Sequence, residues 1–222
     1  MKLLLAGGGT AGHVEPALAV ARAWKIAHPE SEIIFIGTAS GLENSLVPSA
    51  GFTLAHIPKV SIPRKLSLSL LRVPFQLLAS ITATSRMLDD VDCAIGFGGY
   101  VSGPLYCAAA MKRIPFVIHE QNAKPGWANR LGALFTPYKA ISYPVSHGAL
   151  SQGELTGLPL RADVLAAIDS ASQDGAAARL SAKREIARTY GLKESDTLIF
   201  IFGGSQGSQA FNNVISEFRN LS

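Results

Sequence analysis

MKLLLAGGGTAGHVEPALAVARAW, residues 1–24, decides how the rest of the chain is read. Lys2–Ala6 is a short apolar run. Gly7, Gly8 and Gly9 follow, with a fourth glycine at Gly12, and His13 opens a segment of Ala, Leu and Val at helical spacing. An apolar strand, a glycine turn and a helix in that order form the opening βα unit of a parallel α/β sheet. Glycine lets backbone amides come close to a phosphate, and the helix N-terminus adds its partial positive charge.

The same alternation continues outward. EIIFIG precedes GLENSLVPSAG, TLAHIP precedes a long segment ending at Leu88, and CAIGF precedes VSGPLYCAAAMKR; PFVIHE then precedes PGWANRLGALF, followed by KAISYP. The expected fold is therefore α/β, a Rossmann-like parallel sheet with helices on both faces. Past Arg161 the chain turns Ala- and Ser-rich and then helical, which reads as a connector. DTLIFIF, an unbroken apolar run of the kind buried on both faces in a parallel sheet, then leads into GGSQG and another helical segment. The organisation this predicts is one domain over 1–163, a connector and helix over 164–195, and the first strand-turn-helix of an incomplete second domain over 196–222.

Glycine turns thus recur at 7–12, 98–103 and 203–207, each at the carboxyl end of an expected strand. In a parallel sheet that edge is where ligands bind, and three such turns favour an anionic, nucleotide-like ligand. The spacing Gly7-x-Gly9-x-x-Gly12 matches the dinucleotide fingerprint, so an NAD-dependent oxidoreductase has to be weighed. That fingerprint expects an acidic residue at the end of the second strand, yet EIIFIG ends in Gly37 and Thr38, and Glu43 lies too far beyond. Asp90 and Asp92 resemble the metal-binding DxD of some glycosyltransferases. They precede CAIGF, however, and so belong to the opposite edge; no metal site and no cofactor is expected.

Composition closes off other classes. The 222 residues are 48% hydrophobic and 16% charged, with a net charge of +4. This describes a globular chain with no nucleic-acid footprint. Cys93 and Cys107 sit in apolar surroundings and read as reduced thiols in a reducing compartment. KLLLA is too short for a signal-peptide core, and LSLSLLRVPFQLLASITA carries Arg72 and Pro74 in its middle, so neither is expected to leave or cross a membrane.

GGGTAGH, GFGGYVSGP and HEQNAKPGWANR, with GGSQG after the connector, resemble the MurG family of bacterial glycosyltransferases along essentially the whole chain. The resemblance implies a GT-B architecture of two Rossmann-like domains, the first on the acceptor side. It also implies transfer of N-acetylglucosamine from UDP-GlcNAc to an undecaprenyl-linked muramyl-pentapeptide (lipid I to lipid II) by an inverting, metal-independent route. Ala11 stands where the family often has glycine. By the resemblance Thr10, Ala11, Gly12, Asn122, Arg161 and Ser205 bind the donor, and His13 is catalytically important. From the residues alone, His13 is open to two roles, general base or a hydrogen bond holding the turn. HEQN at the end of PFVI places His119, Glu120 and Asn122 over the cleft, and Tyr100 is a candidate to line the acceptor side.

Residues 61–88 combine Arg64, Lys65, Arg72 and Arg86 with Leu71, Phe75 and other apolar residues. Such a segment serves either as a buried helix or as a patch on an anionic leaflet. The family's lipid substrate favours the second, hence a peripheral position on the cytoplasmic face of the cell membrane. A competing reading is a non-catalytic acceptor-binding or membrane-recruiting module.

Overall fold

A computed structural model describes residues 1–60, 71–173, 175–193, 195–197, 199, 201 and 208–219. The chain forms two compact units, Met1–Arg161 and Ala162–Ser222. In the first, strands and helices alternate: β1 (Lys2–Ala6), α1 (Ala11–Ala27), β2 (Glu32–Gly37), α2 (Glu43–Ser49), β3 (Thr53–His56), α3 (Val73–Met87), β4 (Cys93–Gly96), α4 (Ser102–Lys112), β5 (Phe116–Glu120), α5 (Trp127–Gly132), β6 (Lys139–Ile141), a 3-10 turn (Ala149–Gln152) and the two-residue β7 (Glu154–Leu155). The strands are all parallel, in the order β3-β2-β1-β4-β5-β6-β7.

Side-chain alternation in β1 builds both cores. Leu3 and Leu5 pack with Val14, Ala17 and Leu18 of α1 and with Val47 of α2. Leu4 and Ala6 face the other way, toward Leu105 and Ala109 of α4 and Leu88 after α3. Strand β1 is buried from Leu3 to Ala6, as a central parallel strand covered on both faces must be. On the second face the Tyr106 ring is fully buried between two glycines. A Cβ at Gly96 would fall 2.2 Å from its hydroxyl, and one at Gly132 2.4 Å from its ring. Those glycines make room for the ring, and its burial pushes the phenol pKa up.

The chain runs β1-β2-β3 to one side of the sheet and then crosses to β4 on the other. The strand order therefore reverses between β1 and β4, and the loops that follow these two strands are the first two glycine turns. This is where open α/β sheets place their ligands.

The second unit contains α6 (Ala162–Gln173), α7 (Gly175–Tyr190) and α8 (Gln209–Arg219). Ser208 Oγ accepts from the Phe211 amide (3.3 Å) and so caps α8. Here the expectation of a buried strand for DTLIFIF fails at the described residues. Ile199 and Ile201 are 75% and 52% exposed, and no strand pairing is present at Asp196, Thr197, Ile199 or Ile201. Among the described residues of this unit no other strand is present to pair with the run or cover it. The turn 203–207, with Ser205, lies outside the described residues, as do Arg64 and Lys65.

Candidate functional site

Two glycine turns meet at the switch point. Gly99 has φ +77°, and a Cβ there would come 2.5 Å from the Gly8 carbonyl oxygen, so both the backbone conformation and the contact require glycine. Ser102 Oγ reaches the carbonyls of Ala6 (3.1 Å) and Gly98 (2.7 Å), tying the end of β1 to the turn after β4.

Glu43 fastens the same corner from the β2 side. It is completely buried. Its Oε2 accepts from the Gly9 amide (2.9 Å), while Oε1 accepts from the Thr38 amide (3.0 Å) and the Tyr100 hydroxyl (3.0 Å). With its one proton given to Glu43, the Tyr100 oxygen accepts from the Thr38 hydroxyl (3.0 Å). Burial raises the Tyr100 pKa, and Lys59 stands 5.9 Å from its ring centroid. The sequence reading set Glu43 aside as too distant. The fold returns it to the end of β2, where it holds backbone amides of two loops instead of facing a ribose.

His13 sits in the first turn of α1. Its Nδ1 is 3.1 Å from Thr10 Oγ1, and the ring also hydrogen-bonds the Gly8 carbonyl. Thr10 is the N-cap residue but makes no side-chain cap, and α1 has no acidic residue in its first turn. The helix start at Ala11 and Gly12 therefore keeps its positive end uncompensated. Across from the ring is Gly98, where a Cβ would lie 3.1 Å from His13 Cδ2, 3.2 Å from Nε2 and 3.4 Å from Asn129 Nδ2. Burial lowers the His13 pKa; the Glu120 charge and the Gly8 hydrogen bond oppose this with smaller effects.

A second buried carboxylate organises the loop after β5. Glu120 is 1% exposed. Oε1 accepts from the Asn122 amide (2.9 Å) and Nδ2 (3.0 Å), and Oε2 from the Gly126 amide (3.0 Å) and Asn129 Nδ2 (2.9 Å). Asn129 Oδ1 in turn accepts from the Tyr106 hydroxyl (2.7 Å). His119 is also buried, with Nε2 donating to the Gly157 carbonyl (3.1 Å) and Nδ1 accepting from Gln121 Nε2 (3.1 Å). Burial lowers its pKa as well.

The expected site residues therefore divide. Thr10, Ala11, Gly12, His13 and Tyr100 are together at the switch point, and Asn122 is exposed on the adjoining loop. His119 and Glu120, expected over the cleft, are instead beneath it, because six donors and acceptors around them occupy their polar atoms. Arg161 is exposed at the end of the first unit, four residues past the Gly157 carbonyl that His119 holds. On the opposite edge Asp92 Oδ2 accepts from the Lys2 amide (2.7 Å), and Asp90 occupies a positive-φ turn. Among the described residues no cluster of three or more His, Cys, Asp and Glu could hold a metal ion, and Cys93 and Cys107 are free.

A parallel sheet whose strand order reverses beneath two abutting glycine turns and an open helix start defines a Rossmann-like α/β protein. Within that class the chain belongs to glycosyltransferase family 28, whose N-terminal domain matches residues 3–137. It is 45% identical over 214 residues to the UDP-N-acetylglucosamine--N-acetylmuramyl-(pentapeptide) pyrophosphoryl-undecaprenol N-acetylglucosamine transferase of Thermobifida fusca, covering 96% of this chain and 53% of the relative. The transferase of the same name from Frankia casuarinae is 44% identical over 216 residues, with 96% and 54% covered. This chain thus spans about half the length of these relatives. Among solved structures, Acinetobacter baumannii MurG superposes with a TM-score of 0.59 at 32% identity, over 73% of this chain and 47% of that one. The UDP-GlcNAc 2-epimerase of Neisseria meningitidis shares the fold (TM-score 0.54, 16% identity, 86% and 54% covered).

Proposed function

We propose that this chain is the acceptor-side half of an enzyme that moves N-acetylglucosamine from UDP-GlcNAc to the lipid-linked muramyl-pentapeptide, with inversion and without a metal. The observation that carries the reading is the placement of His13, held by Thr10 where two glycine turns meet, with burial lowering its pKa. As general base, its unprotonated ring nitrogen takes the proton of the acceptor hydroxyl. The hydroxyl oxygen attacks the anomeric carbon, and the bond from that carbon to the diphosphate breaks on the opposite face. Amides at the start of α1 and in the glycine turns meet the charge that grows on the departing UDP. Thr10, Ala11, Gly12, Asn122, Arg161 and Ser205 contact the donor. Tyr100 borders the acceptor side, while His119 and Glu120 act as positioning residues for the Asn122 loop. The test is transfer of labelled GlcNAc to a lipid I analogue by the protein carrying both domains. Product is expected with EDTA present. Absence of product, or product only after Mn²⁺ or Mg²⁺ is restored, would overturn the proposal and in the second case bring Asp90 and Asp92 back as ligands.

The lipid acceptor requires access to a membrane surface. No helix among the described residues is long and apolar enough to cross one. On α3 and the residues just before it, Leu71, Phe75 and Leu78 are 63–75% exposed on one helical face, beside Arg72. This supports peripheral attachment to an anionic leaflet, which in the proposed pathway is the cytoplasmic one, with up to ~1 kcal/mol from each cation near the surface. Co-sedimentation with anionic vesicles should weaken as salt rises and in an Arg64→Glu, Lys65→Glu, Arg72→Glu variant. Equal binding by variant and parent would leave the apolar face without that role.

A further inference from the structure

On the other side of α5 from His119 lies a cavity of about 610 Å³. Its walls are the loop just after Asn122, one face of α5 and the segment following β6. Leu131, Leu134 and Val145 give it an apolar lining, and Lys124, Arg130 and His147 are its ionisable residues; no Asp or Glu lines it. Neither Lys124 nor Arg130 is a member of the ion pairs Lys2–Glu32 and Lys112–Asp89, and no acid stands among the residues lining the cavity. Unneutralised cations over an apolar recess complement a ligand that carries carboxylates on small aliphatic groups.

The cavity shares its walls with the candidate site. Asn129 holds Glu120 and the His119 carbonyl, and a Cβ at Gly98 would meet both its Nδ2 and the His13 ring. Arg130, the next residue, lines the cavity. One helix therefore separates the two places, a distance of roughly 10 Å. Resting on the function proposed above, the muramyl sugar whose hydroxyl meets His13 is the same sugar that carries the pentapeptide. Five extended residues span up to about 18 Å at ~3.3–3.6 Å each, which is enough to carry the peptide's far end past α5.

We propose that this cavity binds the carboxylate-bearing end of the acceptor's peptide, with Lys124 and Arg130 pairing the carboxylate and Leu131 and Leu134 packing on its aliphatic groups. The step is binding alone. Calorimetric titration of this chain with lipid-free muramyl-pentapeptide tests it, alongside the same peptide amidated at its C-terminus. Lys124→Glu with Arg130→Glu should weaken binding about tenfold or more, and amidation should weaken binding to the parent chain. Arg130→Gln, which keeps a long polar side chain, should lose part of the affinity with an unchanged melting temperature. Equal binding by parent and variants, indifference to amidation, or no binding by the parent would each overturn the proposal. In the two-domain protein the charge-reversal pair should raise the acceptor KM and leave the donor KM unchanged. Charge-dependent peptide binding without any GlcNAc transfer would sink the proposed function and leave the cavity's role standing. Transfer with an unaltered acceptor KM in the variant would do the reverse.

Discussion

Glu43 and Glu120 lie buried at the same edge of the sheet, and each gives both carboxylate oxygens to donors of the loops around it. They differ in reach. The partners of Glu120 are two to nine residues away, all within HEQNAKPGWAN. Glu43 gathers donors from 34 and 57 residues away as well as from Thr38 close by. One carboxylate therefore folds a single loop, and the other binds the turns after β1, β2 and β4 into one body. A buried carboxylate with every oxygen engaged is stable only while those donors stay in place, so each glutamate makes its loops interdependent.

His13 is where the two systems meet, through Thr10 and Gly8 on one side and Gly98 beside Asn129 on the other. Its replacement gives the largest expected effect. His13→Ala in the two-domain protein should lower kcat by ~10²- to 10⁴-fold, the range for loss of a general base, while circular dichroism and melting stay as in the parent. Unchanged turnover would remove His13 from the chemistry and leave it as a link between the two networks.

The glutamates themselves come next. Glu43→Gln and Glu120→Gln each replace an acceptor oxygen by an NH₂ that must face a backbone N–H, and denaturant titration should show a loss of about 1–3 kcal/mol for either. Kinetics should separate them. Glu43→Gln loosens the corner that holds the His13 turn and should act mainly on kcat. Glu120→Gln loosens the loop carrying Asn122 and should act mainly on the donor KM. The same pattern from both variants would mean that the two networks form one unit, and the contrast drawn from their reach would be wrong.

That contrast also explains what could be read from the sequence. The βα alternation, the two glycine turns of the first unit and the placement of His13 on α1 follow from local patterns that the fold keeps. HEQN was visible as a motif, yet its histidine and glutamate turned out to be buried supports, because a motif shows which residues are close in sequence and not which way they face. Glu43 gave little local signal: its Gly9 and Tyr100 partners come together only when β1, β2 and β4 lie side by side. Tyr106 between Gly96 and Gly132 is the same kind of fact, a packing match between residues far apart in sequence. The two-residue β7 was too short to leave a pattern, and DTLIFIF read as a buried strand because an apolar run does not reveal whether a neighbour exists to cover it.

The smallest expected effect tests whether Glu120 reaches His13 by charge as well as by holding its loop. A general base works in its neutral form, so activity falls as pH drops through the folded-state pKa of His13. Burial sets that pKa below the ordinary value of 6.5, and the acid limb of kcat/KM for the parent should accordingly have its midpoint below 6.5. The Glu120 charge favours the imidazolium and so holds the pKa up against burial. Glu120→Gln removes that charge, and the midpoint should move further toward acid, with the neutral form of His13 persisting to lower pH. Rate profiles of parent and variant, measured between about pH 5 and 8 where histidine titrates, decide the matter. A midpoint that stays in place would confine Glu120 to shaping its own loop. A midpoint that rises would mean that loosening the loop admits water to the ring and lifts the burial penalty, so that Glu120 governs His13 through packing and not through its charge.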